Sequence, residues 1–288
     1  MLVPVNATHR KTVLDTPRLS ISILIPAYNE HATIGAVLAK LLALPLELRE
    51  VIVVDDGSTD GTDAVVERFA SEEPRVRYFY QKNQGKTAAI RTALTHAVGD
   101  IILIQDADLE YDPGDIPDLV APILEDRADV VYGCRFLVKR AARVLYFYHY
   151  LANRGLTFYS NLLTNRNMSD IETCYKAFRA SVIKPLALTS RGFGMEVEIT
   201  ALICRTTART YEVPISYYGR TYEEGKKIGM RDGLEALWFI FYYNLIAPRT
   251  KAGKHYVREV NAALHPAATT VPAEDDVRPG AVRAASSK

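Results

Sequence analysis

Asp106 and Asp108 flank Ala107 at the end of the apolar run Ile101 to Ile104. Alternation along an extended strand sends residues two apart to the same side. The spacing therefore predicts paired carboxylates, which repel when bare and together suit a hard divalent cation such as Mg²⁺ or Mn²⁺. A lone pair of this kind also occurs in plain strand-end turns. Here a second pair, Asp55 and Asp56, ends the run Val51 to Val54 and sets the first within a larger acidic cluster. Basic groups suited to phosphate lie elsewhere. Lys86 follows Gly85 at the start of a helical pattern, where its charge and the helix N-terminus favour an anion, although a solvated lysine fits the same position. Arg135, Arg154, Arg220, Lys226 and Lys227 form a second basic set, and the planar fork of arginine grips phosphate through two hydrogen bonds.

Composition narrows the partners. The 288 residues carry 35 Lys and Arg against 34 Asp and Glu, so no bulk field recruits nucleic acid or another polyanion, and any anion site is local. Cys134, Cys174 and Cys204 lack metal or disulfide spacing, which argues against a zinc site and favours a reducing cytosol. Neither GxGxxG nor GxxxxGKS occurs, which sets aside dinucleotide and P-loop sites. The polar stretch from Asn6 to Lys11 predicts no secretory leader.

The elements that must position these groups alternate in type. Apolar, β-branched runs at 21–26, 51–56, 76–80 and 101–108 are separated by helical patterns at 32–44, 62–71 and 87–97. Such strands predict βαβ units and an α/β fold with a mostly parallel, Rossmann-like sheet covered by helices on both faces. Ligands of these sheets lie beyond the carboxyl ends of the strands, where PAYNE, DDGSTDGT, QKNQGK and DADLE all fall. Further on, helices are expected at 115–126, 143–164, 194–204 and 234–246, with strands at 129–135, 175–179 and 211–217.

Seven motifs occur in order: IPAYNE, VVDDGSTDGT, NQGKTAAI, DADLEYDP, VYGCRF, SDIETCYKAFR and GRTYEEGKK. Together they resemble the GT-A fold, family 2 glycosyltransferases, and among these the polyprenyl-phosphate sugar synthases of the dolichol-phosphate mannose synthase type. The resemblance covers about residues 20–243. It implies a flexible arm at 1–18 and a GT-A domain at 19–248, with a nucleotide-sugar half at 19–135 and an acceptor half at 136–248. A basic and then disordered tail would occupy 249–288, since its small polar residues bury little apolar surface.

By the same resemblance, Pro26, Ala27, Tyr28, Glu30, Asp55, Asp56, Lys86, Asp106, Ala107 and Asp108 hold a nucleotide sugar, GDP-mannose or UDP-glucose. Tyr28 would otherwise be a packing residue. Asp106 and Asp108 would bind Mg²⁺ or Mn²⁺. Glu110 replaces the Gln common there in related synthases, and would be a third ligand or a support for the other two. Catalysis would fall to Asp108, Arg135 and Arg220, and the acceptor phosphate to Arg135, Arg154, Arg220, Lys226 and Lys227. Asp170 and Glu196 lie in segments like the family's sugar site, where each would orient hydroxyls, cap a helix or pair with an arginine.

The implied reaction is inverting transfer of mannose or glucose to a polyprenyl or dolichyl phosphate. A phosphate monoester is mostly dianionic at neutral pH, so this acceptor needs no strong base. Transfer to a hydroxyl of a glycolipid or polysaccharide does need one, for which Asp170 and Glu196 are the candidates. A sugar-nucleotide-binding scaffold would need none.

Fourteen of the 27 aromatics lie in residues 143–160 and 217–243. The apolar stretch 234–247 would reach about 21 Å as a helix, against a hydrocarbon core of about 30 Å, so it is too short to span. Trp238, Phe239, Phe241, Tyr242 and Tyr243, followed by Arg249, Lys251, Lys254 and Arg258, suit the interfacial layer. Tyr146 to Tyr150 would add the second half of this surface. The same helix would also pack on the sheet, on a second copy of the chain or on a membrane-protein partner. The expected location is peripheral, on the cytoplasmic face of the membrane.

Overall fold

The computed structural model describes residues 19–137, 143–144, 146–192, 194–219 and 230–266. Four parallel neighbours, β1 (Ile21–Ala27), β2 (Leu48–Asp55), β3 (Val76–Tyr80) and β4 (Ile101–Ile104), form one side of a sheet. β5 (Val130–Cys134), β6 (Lys176–Arg179) and β7 (Thr210–Pro214) extend it to the order β3-β2-β1-β4-β6-β5-β7. β6 is antiparallel to both of its neighbours, while β5 and β7 are parallel.

Period-two alternation divides the strand residues between two cores. Ile21, Ile23, Ile25, Val51 and Val53 face α1 (Ile34–Leu42), α2 (Thr62–Glu72) and α4 (Ile116–Leu124). Leu24, Ile52, Val54, Ile102 and Ile104 face α3 (Lys86–His96) and α7 (Gly194–Ile203). Both faces are covered, which is why these strands read as continuous apolar runs.

Past β5 come α5 (Phe147–Thr164), the short α6 (Ala180–Ile183) and α8 (Met230–Phe241). α8 continues as a π-helical stretch, Tyr242–Ile246, and packs against α5 and α7. Its aromatics divide by face. Tyr243 is buried and Phe239 lies against Gly194, so these two do not join the exposed surface expected from sequence. Leu234 and Trp238 remain open, as do Phe147, Tyr148, Phe158 and Leu162 on α5. Among the described residues no helix is long and apolar enough to cross a membrane.

One expectation is overturned beyond residue 249. Over the first part of the expected tail, α9 (Lys251–Leu264) docks on the domain; residues 1–18 and 267–288, expected as an arm and as disordered tail, lie outside the described residues. Thr250 caps α9 by accepting the Gly253 N–H at 3.1 Å. Gly253, Tyr256 and Val260, three and four residues apart, bury one stripe of the helix, and the Tyr256 hydroxyl donates to the Val182 carbonyl at 3.2 Å. A composition averaged over the whole tail hides so sparse a stripe. Val260→Ala is therefore expected to destabilise the chain by about 1–2.5 kcal/mol in urea unfolding. A detached tail would give a change within about 0.5 kcal/mol.

Candidate active site

Because β1, β2 and β4 are parallel, their carboxyl ends share one edge of the sheet. A pocket of about 220 Å³ opens there, and nine of the ten residues expected to hold a nucleotide sugar line it. Pro26 and Ala27 end β1 and Tyr28 and Glu30 follow it, Asp56 follows β2, Lys86 opens α3, and Asp106, Ala107 and Asp108 follow β4. The Tyr28 side chain is half exposed at 51%, so its ring is available at the pocket and is not a packing residue.

The tenth residue, Asp55, is turned away. It is fully buried and accepts the Ser58 N–H at 2.8 Å and the Tyr78 hydroxyl at 3.2 Å, which makes it an anchor of the turn. Burial, with Asp55 alongside, raises the Tyr78 phenol above its ordinary range. Asp56 lines the pocket and also fixes the loop before α3. Its carboxylate accepts from the Gln81 amide at 2.6 Å, the Gln84 N–H at 2.9 Å and the Gly85 N–H at 2.7 Å. Gly57 makes this arrangement possible: its φ is +82°, and a Cβ there would stand 2.9 Å from the Asn83 nitrogen.

Asp106 and Asp108 reach the same pocket by a route other than strand alternation. β4 ends at Ile104, so the pair lies on a turn that continues through Leu109 at φ +60°. A bulky residue in the left-handed region is rare and marks strain of the kind found at functional sites. Asp106 Oδ1 pairs with the Lys86 ammonium at 2.7 Å, and Asp108 Oδ1 accepts the Glu110 N–H at 3.1 Å. Glu110 accepts the Tyr217 hydroxyl at 3.0 Å through Oε2 and does not line the pocket, an arrangement that fits the supporting role.

Two carboxylates facing one pocket fit a divalent cation of the Mg²⁺ type, which takes one or two protein carboxylates and completes its shell with phosphate oxygens and water. Among the described residues no three His, Cys, Asp or Glu side chains are grouped to hold a metal by themselves. The donor set therefore suits an ion whose remaining ligands come from a bound diphosphate.

A second polar cluster adjoins this pocket. Arg135, at the end of β5, meets Asp170 in a bidentate pair, Nε to Oδ2 and Nη2 to Oδ1, both at 2.7 Å, with side chains only 12% and 0% exposed. Burial opposes the arginine's charge, but Asp170, Tyr111 and Tyr217 together outweigh it and hold the guanidinium well above its ordinary range. Of the roles open to Asp170, the structure shows pairing with an arginine. Arg154 is exposed on α5 and donates to the Ser169 carbonyl at 3.2 Å. Arg220, Lys226 and Lys227 lie outside the described residues.

Glu196, in the first turn of α7, is buried and links the two clusters. It accepts from the Cys174 thiol at 3.3 Å and stands 3.7 Å from the Lys86 ammonium. Three residues of the SDIETCYKAFR segment carried no role in the sequence reading and belong here. Cys174 accepts from Lys86 at 2.8 Å, and buried Lys176 donates to the carbonyls of Ile171 and Thr173. A lysine inside a short apolar strand was the available signal. The third, Glu172, has its Oε1 buried without a hydrogen-bond partner. Burial, and then Glu196, push its carboxyl up to about 8.

That shift carries a sign. Between about pH 4.5 and 8 the folded chain holds the Glu172 proton and the unfolded chain has released it, so the stability Glu172 contributes is lost as pH rises through this window. The wild-type melting temperature should fall more between pH 5 and pH 8 than that of Glu172→Gln. Equal falls would show that Glu172 titrates normally.

Comparison with known proteins agrees with this architecture. The profile for glycosyl transferase family 2 matches residues 22–186, more than half of the chain. An undecaprenyl-phosphate mannosyltransferase of Micrococcus luteus is 28% identical over 234 residues, 75% of this chain and 94% of that protein. Glycosyltransferase AglJ of Haloferax volcanii is 31% identical over 70% of the chain, and a dolichol-phosphate mannosyltransferase of Pyrococcus furiosus 28% identical over 73%. The chain spans 64% and 60% of those two relatives' lengths. In fold, it is similar to glucosyl-3-phosphoglycerate synthase from Mycobacterium tuberculosis in complex with Mn²⁺ and UDP-glucose. That likeness has a TM-score of 0.58 and 21% identity, over 78% of this chain and 77% of the other. The sheet, the pocket at its carboxyl edge and the matched profile agree: the chain belongs to glycosyl transferase family 2.

Proposed function

We propose that the chain moves one hexose, mannose or glucose, from GDP-mannose or UDP-glucose to a polyprenyl phosphate, with inversion at the anomeric carbon. The observation that carries this reading is the convergence of Asp106 and Asp108 with Tyr28, Glu30, Asp56 and Lys86 around one pocket. Its relatives named for undecaprenyl-phosphate and dolichol-phosphate mannosyl transfer support the acceptor class.

Tyr28 offers its ring to the base, and the acids Glu30 and Asp56 accept from base or ribose hydrogens. Asp106 and Asp108 would hold Mg²⁺ or Mn²⁺, which supplies charge neutralisation at the diphosphate when bound. Lys86 adds a positive charge on the same side. Arg135, oriented by Asp170, holds the acceptor phosphate with Arg154 and with Arg220, Lys226 and Lys227. An acceptor phosphate oxygen attacks C1 as the C1–O bond to the diphosphate breaks, and the electron pair leaves with the nucleoside diphosphate. Positioning and charge stabilisation supply most of the rate.

The pairings at Asp170 and Glu196 favour a phosphate acceptor over a hydroxyl. Each carboxylate sits beside a cation, Arg135 for Asp170 and Lys86 for Glu196. Both Asp170 oxygens are taken by the Arg135 fork, and Glu196 Oε1 accepts the Cys174 thiol, so neither is turned to an acceptor hydroxyl. A dianionic phosphate needs neither. The exposed aromatics of α5 and α8 support our reading that the acceptor side works peripherally at a membrane surface, on its cytoplasmic face.

Purified chain with Mg²⁺, a short polyprenyl phosphate and labelled GDP-mannose or UDP-glucose should give a lipid-extractable labelled product from one donor. Donor binding without turnover would instead mark a scaffold. Label appearing only on a glycolipid or polysaccharide hydroxyl would select the other transferase chemistry.

A further inference from the structure

We propose that Lys86 stands in for the divalent cation while the donor is absent, and that it passes from Asp106 to the donor diphosphate so that cation and nucleotide load together. The inference rests on the metal reading above and concerns what controls access to that site. Lys86 Nζ lies 2.7 Å from Asp106 Oδ1, the spacing of a charge-assisted hydrogen bond. It thus occupies an oxygen that the cation needs. A free dication approaching this carboxylate meets an ammonium held close by, and the like charges oppose binding.

The same ammonium is held from behind. Cys174 Sγ stands at 2.8 Å and Glu196 Oε1 at 3.7 Å, so Lys86 is anchored to the acceptor cluster even when Asp106 is released. Its position favours a change of partner. Lys86 is the first residue of α3, after Gly85 at φ +90°, and its side chain is 31% exposed at the pocket. A flexible four-carbon stem lets a lysine charge swing without moving its backbone. A diphosphate entering the pocket brings the negative charge that draws Lys86 off Asp106, together with oxygens that complete a cation's shell. Linkage then requires that nucleotide and cation raise each other's affinity by the same factor.

Binding of Mn²⁺ to the full chain, followed by loss of the free-ion paramagnetic resonance signal, tests this without turnover. Titrations would be run with no nucleotide, with GDP and with UDP, on the wild type and on Lys86→Met and Lys86→Gln. Both variants remove the charge, and the second keeps a donor for Asp106, so that one folded variant suffices. The wild type should bind Mn²⁺ at least about tenfold tighter with one of the nucleotides, within the ordinary range of coupling between sites. The variants should bind Mn²⁺ without nucleotide about tenfold tighter than the wild type, and gain less from the nucleotide. A folded variant with wild-type affinity for Mn²⁺ in the absence of nucleotide would overturn the stand-in role while leaving the metal reading intact. Absence of Mn²⁺ binding to the wild type with either nucleotide would remove the metal reading itself, and this proposal with it.

Discussion

Asp108→Ala should lower kcat/KM for lipid-linked product by about 10³-fold, roughly 4 kcal/mol of transition-state stabilisation. Asp106 and Asp108 are an acidic pair lining the pocket, and Glu110, whose Oε2 accepts the Tyr217 hydroxyl, is not among the lining residues. Asp108→Asn keeps the side chain's size and removes its charge, so it should lose nearly as much. Both variants should stay folded, since Asp108 lies on a turn and outside both apolar cores. A fall of less than fivefold in a folded variant would show that the acidic pair does not carry the reaction.

The largest effect on stability is expected at Asp170. Its carboxylate is fully buried and takes three donors from Arg135: Nε, Nη2 and, at 3.2 Å, the backbone N–H. Asp170→Ala strands a buried guanidinium, which costs about 3–5 kcal/mol. For a chain of this size that is a fall of roughly 6–20 °C in melting temperature. The double variant Arg135→Met with Asp170→Leu should regain much of the loss, because an apolar pair needs no compensating charge, and it should remain inactive. An Asp170→Ala melting temperature within about 2 °C of wild type would contradict this account of the pair.

These two sites differ in how much of them the sequence displays. β1, β2 and β4 were legible because their central residues are buried on both faces and so read as apolar runs, and β3, at the sheet edge, by its Val, Tyr and Phe. The pocket residues were legible because parallel strands deliver their carboxyl ends to one edge, and the motifs sit at those ends. What stayed hidden depends on the third dimension. Asp55 and Asp56 are adjacent and identical in type, and only the turn after β2 decides that Asp56 meets the pocket while Asp55 takes Ser58 and Tyr78. The early end of β4 moves Asp106 and Asp108 from a strand to a turn. The Arg135–Asp170 pair spans 35 residues and forms because β6, entered from the Asp170 segment, runs antiparallel beside β5. α9 escaped notice because only a narrow stripe of a polar helix is buried.

The link between the acidic pocket and the basic acceptor cluster was also invisible in sequence. Lys86, Cys174 and Glu196 lie far apart in the chain and meet through side chains from α3, the segment before β6 and α7. This junction joins the two halves of the proposed reaction, donor on one side and acceptor phosphate on the other.

The central claim is that a hexose is joined through C1 to a lipid phosphate, and the linkage in the isolated product tests it most directly. Mild acid applied to the lipid-extracted product should release free hexose, and its ³¹P resonance should be that of a phosphodiester coupled to the anomeric carbon. A product that survives mild acid as a glycoside, with its phosphate still a monoester, would contradict the account.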